Sequence, residues 1–269
     1  MNGKLAQWLA QGLAKALLPA LVGALALGTW EAAIRLFDVP PYIVPAPSRI
    51  ATALVRDWPI LGPALAFTLE IAALSLLAAV LGGGALALLF ARSPLIARSL
   101  FPYAIILQVT PIVAVAPLII IWVDNTVAAL LICAWIVAFF PILSNTTLGL
   151  NSADRNLAEL FRLYGATRGQ TLIHLRLPSA LPYFLAGLRI SGGLALIGAV
   201  VAEFVAGAGG HESGLAYRIL EAGYRLDIPR MFAALALISL AGIAIYALLA
   251  GLSHLLLRHW HESALPREE

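Results

Sequence analysis

Six apolar blocks, Leu13–Leu36, Leu65–Ala91, Leu100–Val123, Val127–Leu150, Phe184–Ala206 and Met231–Leu257, alternate with polar interruptions along the chain. Each is long enough to cross a hydrocarbon core of about 30 Å, which takes roughly 20 apolar residues. The pattern predicts an all-α polytopic membrane protein of six transmembrane helices. It divides into a cytoplasmic N-terminal segment 1–12, a six-helix domain 13–257 carrying a cytoplasmic loop 151–183, and a cytoplasmic tail 258–269.

Three connections carry more than a hairpin. Residues 38–63 hold Pro40, Pro41, Pro45 and Pro47, which suit an extended surface segment, then a short amphipathic helix around Ile50–Trp58. Residues 207–229 begin with a glycine-rich hinge, Gly-Ala-Gly-Gly-His, and continue into a short helix over Leu215–Tyr224. The third is the polar insertion that starts at Asn151. There Asp154 or Ser152 caps a helix from about Arg155 to Tyr164, Gly165 supplies its left-handed end, and Thr167 caps a second short turn before Pro178. Leu157, Leu160, Phe161 and Leu163 form an apolar face for the membrane domain or a partner groove, leaving Arg155, Arg162 and Arg168 to acidic groups.

Composition excludes a soluble chain: 61% of residues are apolar and 12% charged, against about 45–50% and about 25% in soluble domains. With the N-terminus inside, Lys4, Lys15, Arg92, Arg98, Arg155, Arg162, Arg168, Arg176, Arg189, Arg258 and Arg267 lie on the cytoplasmic side, leaving six of the seventeen Lys and Arg residues outside. The positive-inside rule therefore predicts an N-in, C-in topology. No small-residue cleavage site follows the N-terminal stretch closely, so the first block reads as an uncleaved span. Trp30, Trp58 and Trp122 mark the outer interface, Trp8 and Trp260 the inner. A net charge of +3 spread among loops gives no nucleic-acid surface, and the single Cys133, inside an apolar run, is a packing residue.

Polar residues inside the blocks are the candidate pathway. Gln108 and Thr110 in a proline-broken third span, and Asn145 with Thr146 in the fourth, either line a cavity or bond helix to helix. Tyr103, Trp135 and Phe140 either stack on a planar solute or pack. Glu31 is near enough to the outer surface to snorkel, Glu70, beside Thr68, either makes a structural hydrogen bond or contacts the solute, and Glu203 reads as a gate or interhelical anchor near the outer end of span five. Gly82–Gly84 and Gly192–Gly193 allow close helix approach, and Pro111, Pro117 and Pro141 can kink spans three and four. The five histidines are scattered, with neither Gly-x-Ser-x-Gly nor His-Glu-x-x-His, so no catalytic constellation is present.

In the polar loop, Glu159, Gly165 six residues on, and Leu175-Arg-Leu177-Pro178 beginning ten residues after the glycine resemble the "EAA" cytoplasmic loop of bacterial ABC-importer permeases. Leu160 and Phe161 stand where that family has its alanines, and Leu175 where it has isoleucine. The likeness spans most of residues 39–250. Pro45-Ala-Pro-Ser48, the run from Phe140-Pro141 to Asn145-Thr146, Leu177-Pro178 to Pro182, Gly187-Leu-Arg189 and Ala202-Glu203 are similar to the permeases for sulfonates, taurine, nitrate and thiamine-precursor pyrimidines.

The resemblance implies a permease subunit of a type I-like ABC importer in the bacterial inner membrane, moving a small solute by alternating access. It implies a homodimer, two ATPase subunits and a periplasmic or lipid-anchored solute-binding protein. Coupling to the ATPase would fall to Glu159, Leu160, Phe161, Arg162, Gly165, Ala166, Leu175, Leu177 and Pro178, and the pathway to Gln108, Thr110, Asn145, Thr146 and Glu203. The chain has no Gly-rich phosphate loop ending in Lys-Ser/Thr, so ATP and Mg belong to the partner ATPase and the chain itself is neither an enzyme nor a cofactor carrier. An ion-coupled secondary transporter is the rival; it would show related halves with matching interrupted helices, which are not evident here.

Overall fold

Backbone donors and acceptors in lipid have no water to bond, so apolar blocks close their hydrogen bonds within themselves as helices. The computed structural model describes residues 2–207 and 213–258, with side chains from Leu17 onward. In chain order the helices are α1 (Asn2–Leu36), α2 (Pro47–Arg56), α3 (Trp58–Arg92), α4 (Pro94–Val109), α5 (Ile112–Trp122), α6 (Thr126–Leu150), α7 (Arg155–Leu163), α8 (Arg168–Thr171), α9 (Leu177–Ala206), α10 (Leu215–Tyr224) and α11 (Ile228–Leu257). Among the described residues there is no strand.

Five helical stretches are long and apolar enough to cross a membrane, and α4 with α5, taken as one broken span, makes a sixth. The break is a 99° bend rather than a kink. Pro111 disfavours helical geometry in the residue before it, and Thr110 accordingly turns extended, at φ −69° and ψ 120°. Pro117 and Pro141, expected to kink their spans, lie inside the helices α5 and α6. The expected N-terminal segment 1–12 is helical from Asn2 and runs into α1 without interruption. Of the expected hinge, Gly207 caps α9 in the left-handed region at φ +55°, and residues 208–211, like Trp260 and the tail beyond Arg258, lie outside the described residues.

The chain forms two units, Met1–Leu61 with Ile219–Leu235, and Gly62–Arg218 with Ala236–Glu269. In the smaller unit, Glu31 is held by partners: its carboxylate accepts the Ser48 backbone N–H at 3.0 Å and the Ser48 hydroxyl at 2.8 Å, and Arg35 covers it at 2.6 Å. The acid thus sits on the first turn of α2, where the exposed N–H groups and helix dipole favour negative charge. Trp30 packs against Phe232 with ring centres 6.1 Å apart.

The larger unit is built around an antiparallel pair, α6 against α9. Ala134 faces Gly198, Pro141 and Asn145 face Gly187, and Gly149 faces Ala180 and Tyr183. A methyl group on any of these three glycines would come within 2.7–2.8 Å of its neighbour, so hydrogen alone fits. Lipid tails are as apolar as leucine, which leaves close packing and interhelical hydrogen bonds to hold such a pair. Midway along the seam, the buried Ser191 hydroxyl donates to the Ala138 carbonyl at 2.6 Å. Gly83 is also close-packed, against Ile142, and Gly192 against Leu249 and Ile245, whereas Gly84 and Gly193 meet nothing.

Candidate functional site: the loop between α6 and α9 and its connections

The loop's geometry follows from its caps. Asp154 Oδ1 accepts the backbone N–H groups of Asn156 at 2.7 Å and Leu157 at 3.3 Å, starting α7. Gly165, at φ +69°, ends it: its N–H reaches the Arg162 carbonyl at 3.1 Å, and Ala166 N–H reaches Phe161 at 2.9 Å. This pair of bonds is a Schellman closure and needs the left-handed residue that glycine adopts without strain. A reciprocal capping box then opens α8, Gln170 N–H to Thr167 Oγ1 at 3.2 Å and Thr167 N–H to Gln170 Oε1 at 2.8 Å.

The second short helix does not stop before Pro178, as its sequence suggested. A π-helical turn over Leu172–Arg176 carries the chain into α9, with Leu177 N–H bonded five residues back to Leu172. Pro178 has no N–H to give and its ring crowds the preceding turn, so the wider turn takes it in without a break. Arg189, counted among the cytoplasmic-side residues, is half-buried within α9.

No residue of α7 is buried, and Leu157, Leu160 and Leu163 are exposed. Leu160, Phe161, Gly165 and Ala166 come together in a hollow of about 400 Å³, joined by Tyr164, Gln170 and His174, which sequence reasoning missed. The Thr167-x-x-Gln170 spacing was a readable signal for Gln170. Glu159 and Arg162 are exposed outside that hollow, Leu175 is buried, and Leu177 and Pro178 are exposed at the start of α9.

The candidate pathway residues are not gathered in one place. Thr110 lines a groove of about 150 Å³ with Tyr103, Ile106 and Ile136; Gln108 is exposed outside it. Asn145 donates from Nδ2 to the Pro141 carbonyl at 2.9 Å, and Thr146 is buried with its hydroxyl unpartnered. Trp135 packs on Phe139 with ring centres 4.9 Å apart, and Phe140 on Phe101 at 6.0 Å.

Glu203, 3% exposed, holds the start of α10: its Oε2 accepts Ala216 N–H at 3.1 Å, while Thr68 Oγ1 accepts Leu215 N–H at 2.9 Å. Gly214 packs directly on the carboxylate. Thr68 is thereby engaged with α10, and Glu70, two residues on, is exposed with no partner among the described residues.

These features define a multi-span helical membrane protein with a structured polar loop before its penultimate long helix. Residues 79–261 match the family described as binding-protein-dependent transport system inner membrane component. The chain belongs to that family: it is the multi-pass inner-membrane permease subunit of an ABC-type importer of small solutes. It is 33% identical to the formylaminopyrimidine transport permease protein ThiX of Halalkalibacterium halodurans, over 89% of this chain and 94% of that one. It is 36% identical to the riboflavin transport system permease protein RibX of Chloroflexus aurantiacus, over 89% and 88%. With the taurine transport system permease protein TauC of Escherichia coli it shares 30% identity, over 88% and 85%. The crystal structure of an amino acid ABC transporter with histidines has the same fold, with a TM-score of 0.61 at 18% identity, covering 75% of this chain and 96% of that one.

Proposed function

We propose that this chain works as a homodimer with two ATPase subunits, that its α7–α8 loop faces the cytoplasm with both termini inside, and that the loop is where ATP-driven force enters. Residues 13–257 form the transport domain, with flanking segments 1–12 and 258–269. The observation that carries this reading is the doubly capped α7, which presents exposed Leu160 and Leu163 and half-buried Phe161 and ends at a left-handed Gly165. Such a loop holds one shape and presents apolar side chains that lipid at that polar level would not cover. Glu159, Leu160, Phe161, Arg162, Gly165 and Ala166 would meet the ATPase, and Leu175, Leu177 and Pro178 would pass its movement into α9. ATP and Mg would be bound by the partner. A solute-binding protein would deliver cargo to the opposite face, and Gln108, Thr110, Asn145, Thr146 and Glu203 would line or gate the route.

For cargo we infer a small, planar nitrogen heterocycle in preference to a sulfonate. Relatives named for formylaminopyrimidine and riboflavin support it, as does Glu70: an unpartnered carboxylate in a span repels an anion and accepts hydrogen bonds from ring N–H and amino groups.

The test is purification of the tagged chain from native membranes, followed by uptake in proteoliposomes. An ATPase bearing a Gly-rich phosphate loop should accompany it, and labelled riboflavin or an aminopyrimidine should enter only with ATP and the binding protein. Uptake by the solitary chain, driven by an ion gradient, would overturn the mechanism; ATP-driven taurine uptake would overturn only the cargo.

A further inference from the structure

A second cleft, about 940 Å³, opens beside the loop where the end of α3 meets the foot of α9. Its lining includes four arginines: Arg92 at the last residue of α3, Arg162 on α7, Arg168 at the first residue of α8, and Arg176 in the π-helical turn. No carboxylate lines it; Asp154 and Glu159, the acids nearest in sequence, lie elsewhere. Among the described residues none of the four arginines makes an ion pair, and the only hydrogen bond of their guanidinium groups runs from Arg176 Nη1 to the Ala91 carbonyl at 3.4 Å. Four like charges facing one space repel one another, and that repulsion is relieved when an anion enters.

We propose that this cleft is a binding site for the phosphodiester headgroup of an anionic membrane lipid. Two observations select a lipid over other anions. First, the cleft is walled by the ends of two long apolar helices, which the Arg176–Ala91 hydrogen bond ties together, so it opens at the level where span ends meet headgroups. Second, its charged wall grades into apolar surface: Ala91, Pro94 and Leu172 line it, and Leu95, the residue after Pro94 in the first turn of α4, is 76% exposed. A phosphate held by guanidinium forks with its acyl chains along α4 covers both surfaces at once, whereas a soluble anion leaves Leu95 bare. Guanidinium forks match phosphate oxygens in pairs, and basic pockets between membrane helices recognise such headgroups. Arg162 and Ala166, proposed above to meet the ATPase, border the cleft as well, so the headgroup sits next to that contact, and an occupied cleft ties α7 and α8 to the ends of α3 and α9.

The test is native mass spectrometry of the delipidated full-length chain, alone and with the ATPase that co-purifies, titrated with dioleoylphosphatidylglycerol or dioleoylphosphatidylcholine. Phosphatidylglycerol should bind at least roughly tenfold more tightly, since each arginine near the headgroups contributes severalfold. The Arg92→Gln/Arg176→Gln double variant should lose that preference, Arg92→Lys/Arg176→Lys should keep most of it, and Arg155→Gln, on α7 but outside the cleft, should leave it intact. Equal affinity for the two lipids, or a preference that survives the double glutamine change while both variants fold, overturns the proposal. Displacement by millimolar inorganic phosphate would make it a free-oxyanion site, and loss of the lipid on adding the ATPase would make it a protein-docking surface; either result also overturns it.

Discussion

Arg230 holds Asp57 by two parallel hydrogen bonds, Nε to Oδ2 at 2.9 Å and Nη2 to Oδ1 at 3.0 Å, while Arg56 covers the same carboxylate at 2.7 Å. The hydrogen bonds from Arg56 are the largest influence on the Asp57 carboxyl, and with those from Arg230 they outweigh burial and push it down to about 2. Because the folded value lies below the unfolded 3.8, the stabilisation is complete above pH 4 and fades as pH falls from there towards 2. Asp57→Asn should therefore cost about 2 kcal/mol at neutral pH, seen as a lower thermal midpoint in detergent. That difference from the parent should shrink as pH falls from about 4 and close only near pH 2 if the ionised carboxylate is its source; a constant difference across the range would show that it is not.

Close packing of α6 on α9 should make glycine substitutions there unequal. Gly198→Val places its side chain against the Ala134 backbone, where an added Cβ already stands 2.8 Å away, and overpacking of this kind costs about 1–3 kcal/mol. Gly193→Ala meets open space on the same helix, so thermal midpoints should fall for the first and hold or rise slightly for the second.

Gly165 separates backbone strain from contact, because a side chain there would touch nothing. Its φ of +69° costs a β-branched residue about 1–2 kcal/mol and asparagine less. Gly165→Val should lower uptake per ATP hydrolysed with the complex still assembled, and Gly165→Asn should retain most coupling. Equal coupling in both variants would remove the left-handed turn from the mechanism.

Glu203 and Thr68 hold the first turn of α10, and each should be readable separately. Glu203→Leu should raise amide hydrogen exchange at Ala216, and Thr68→Val at Leu215, each by about tenfold or more from losing a buried partner worth about 1–3 kcal/mol. Unchanged exchange would mean that the surrounding packing alone fixes α10.

Glu70 should be reachable from water. Glu70→Cys should react with a membrane-impermeant maleimide during turnover, against a low background because Cys133 is fully buried. A thiol that stays silent in every transport state would place Glu70 against lipid or protein and remove the support it lends to a donor-rich cargo.

Helix positions were legible because span length is dictated by bilayer thickness; α6 was placed to within one residue at Thr126–Leu150, and α10 at Leu215–Tyr224 itself. Asp154, Gly165 and Thr167 were equally readable, since caps act within three or four residues of chain. What escaped was pairing over distance. Gly187 and Gly198 look no different in sequence from Gly84, and only the facing backbone shows which must be small. Glu31 could not announce Ser48, seventeen residues away, as its partner. The 99° bend at Pro111 was visible only as a proline, and α5 and α6 each continue as one helix through theirs.

From Arg168 to Ala206 the chain is one uninterrupted helical rod of 39 residues, widened once at Leu172–Arg176. At about 1.5 Å per residue it is close to 60 Å long. One end bears the arginine cleft and the other the Glu203 clasp, so a tilt imposed at the loop, as proposed above, would arrive at the clasp as the swing of a pushrod's far tip, in step with its cause and enlarged by the length of the lever arm.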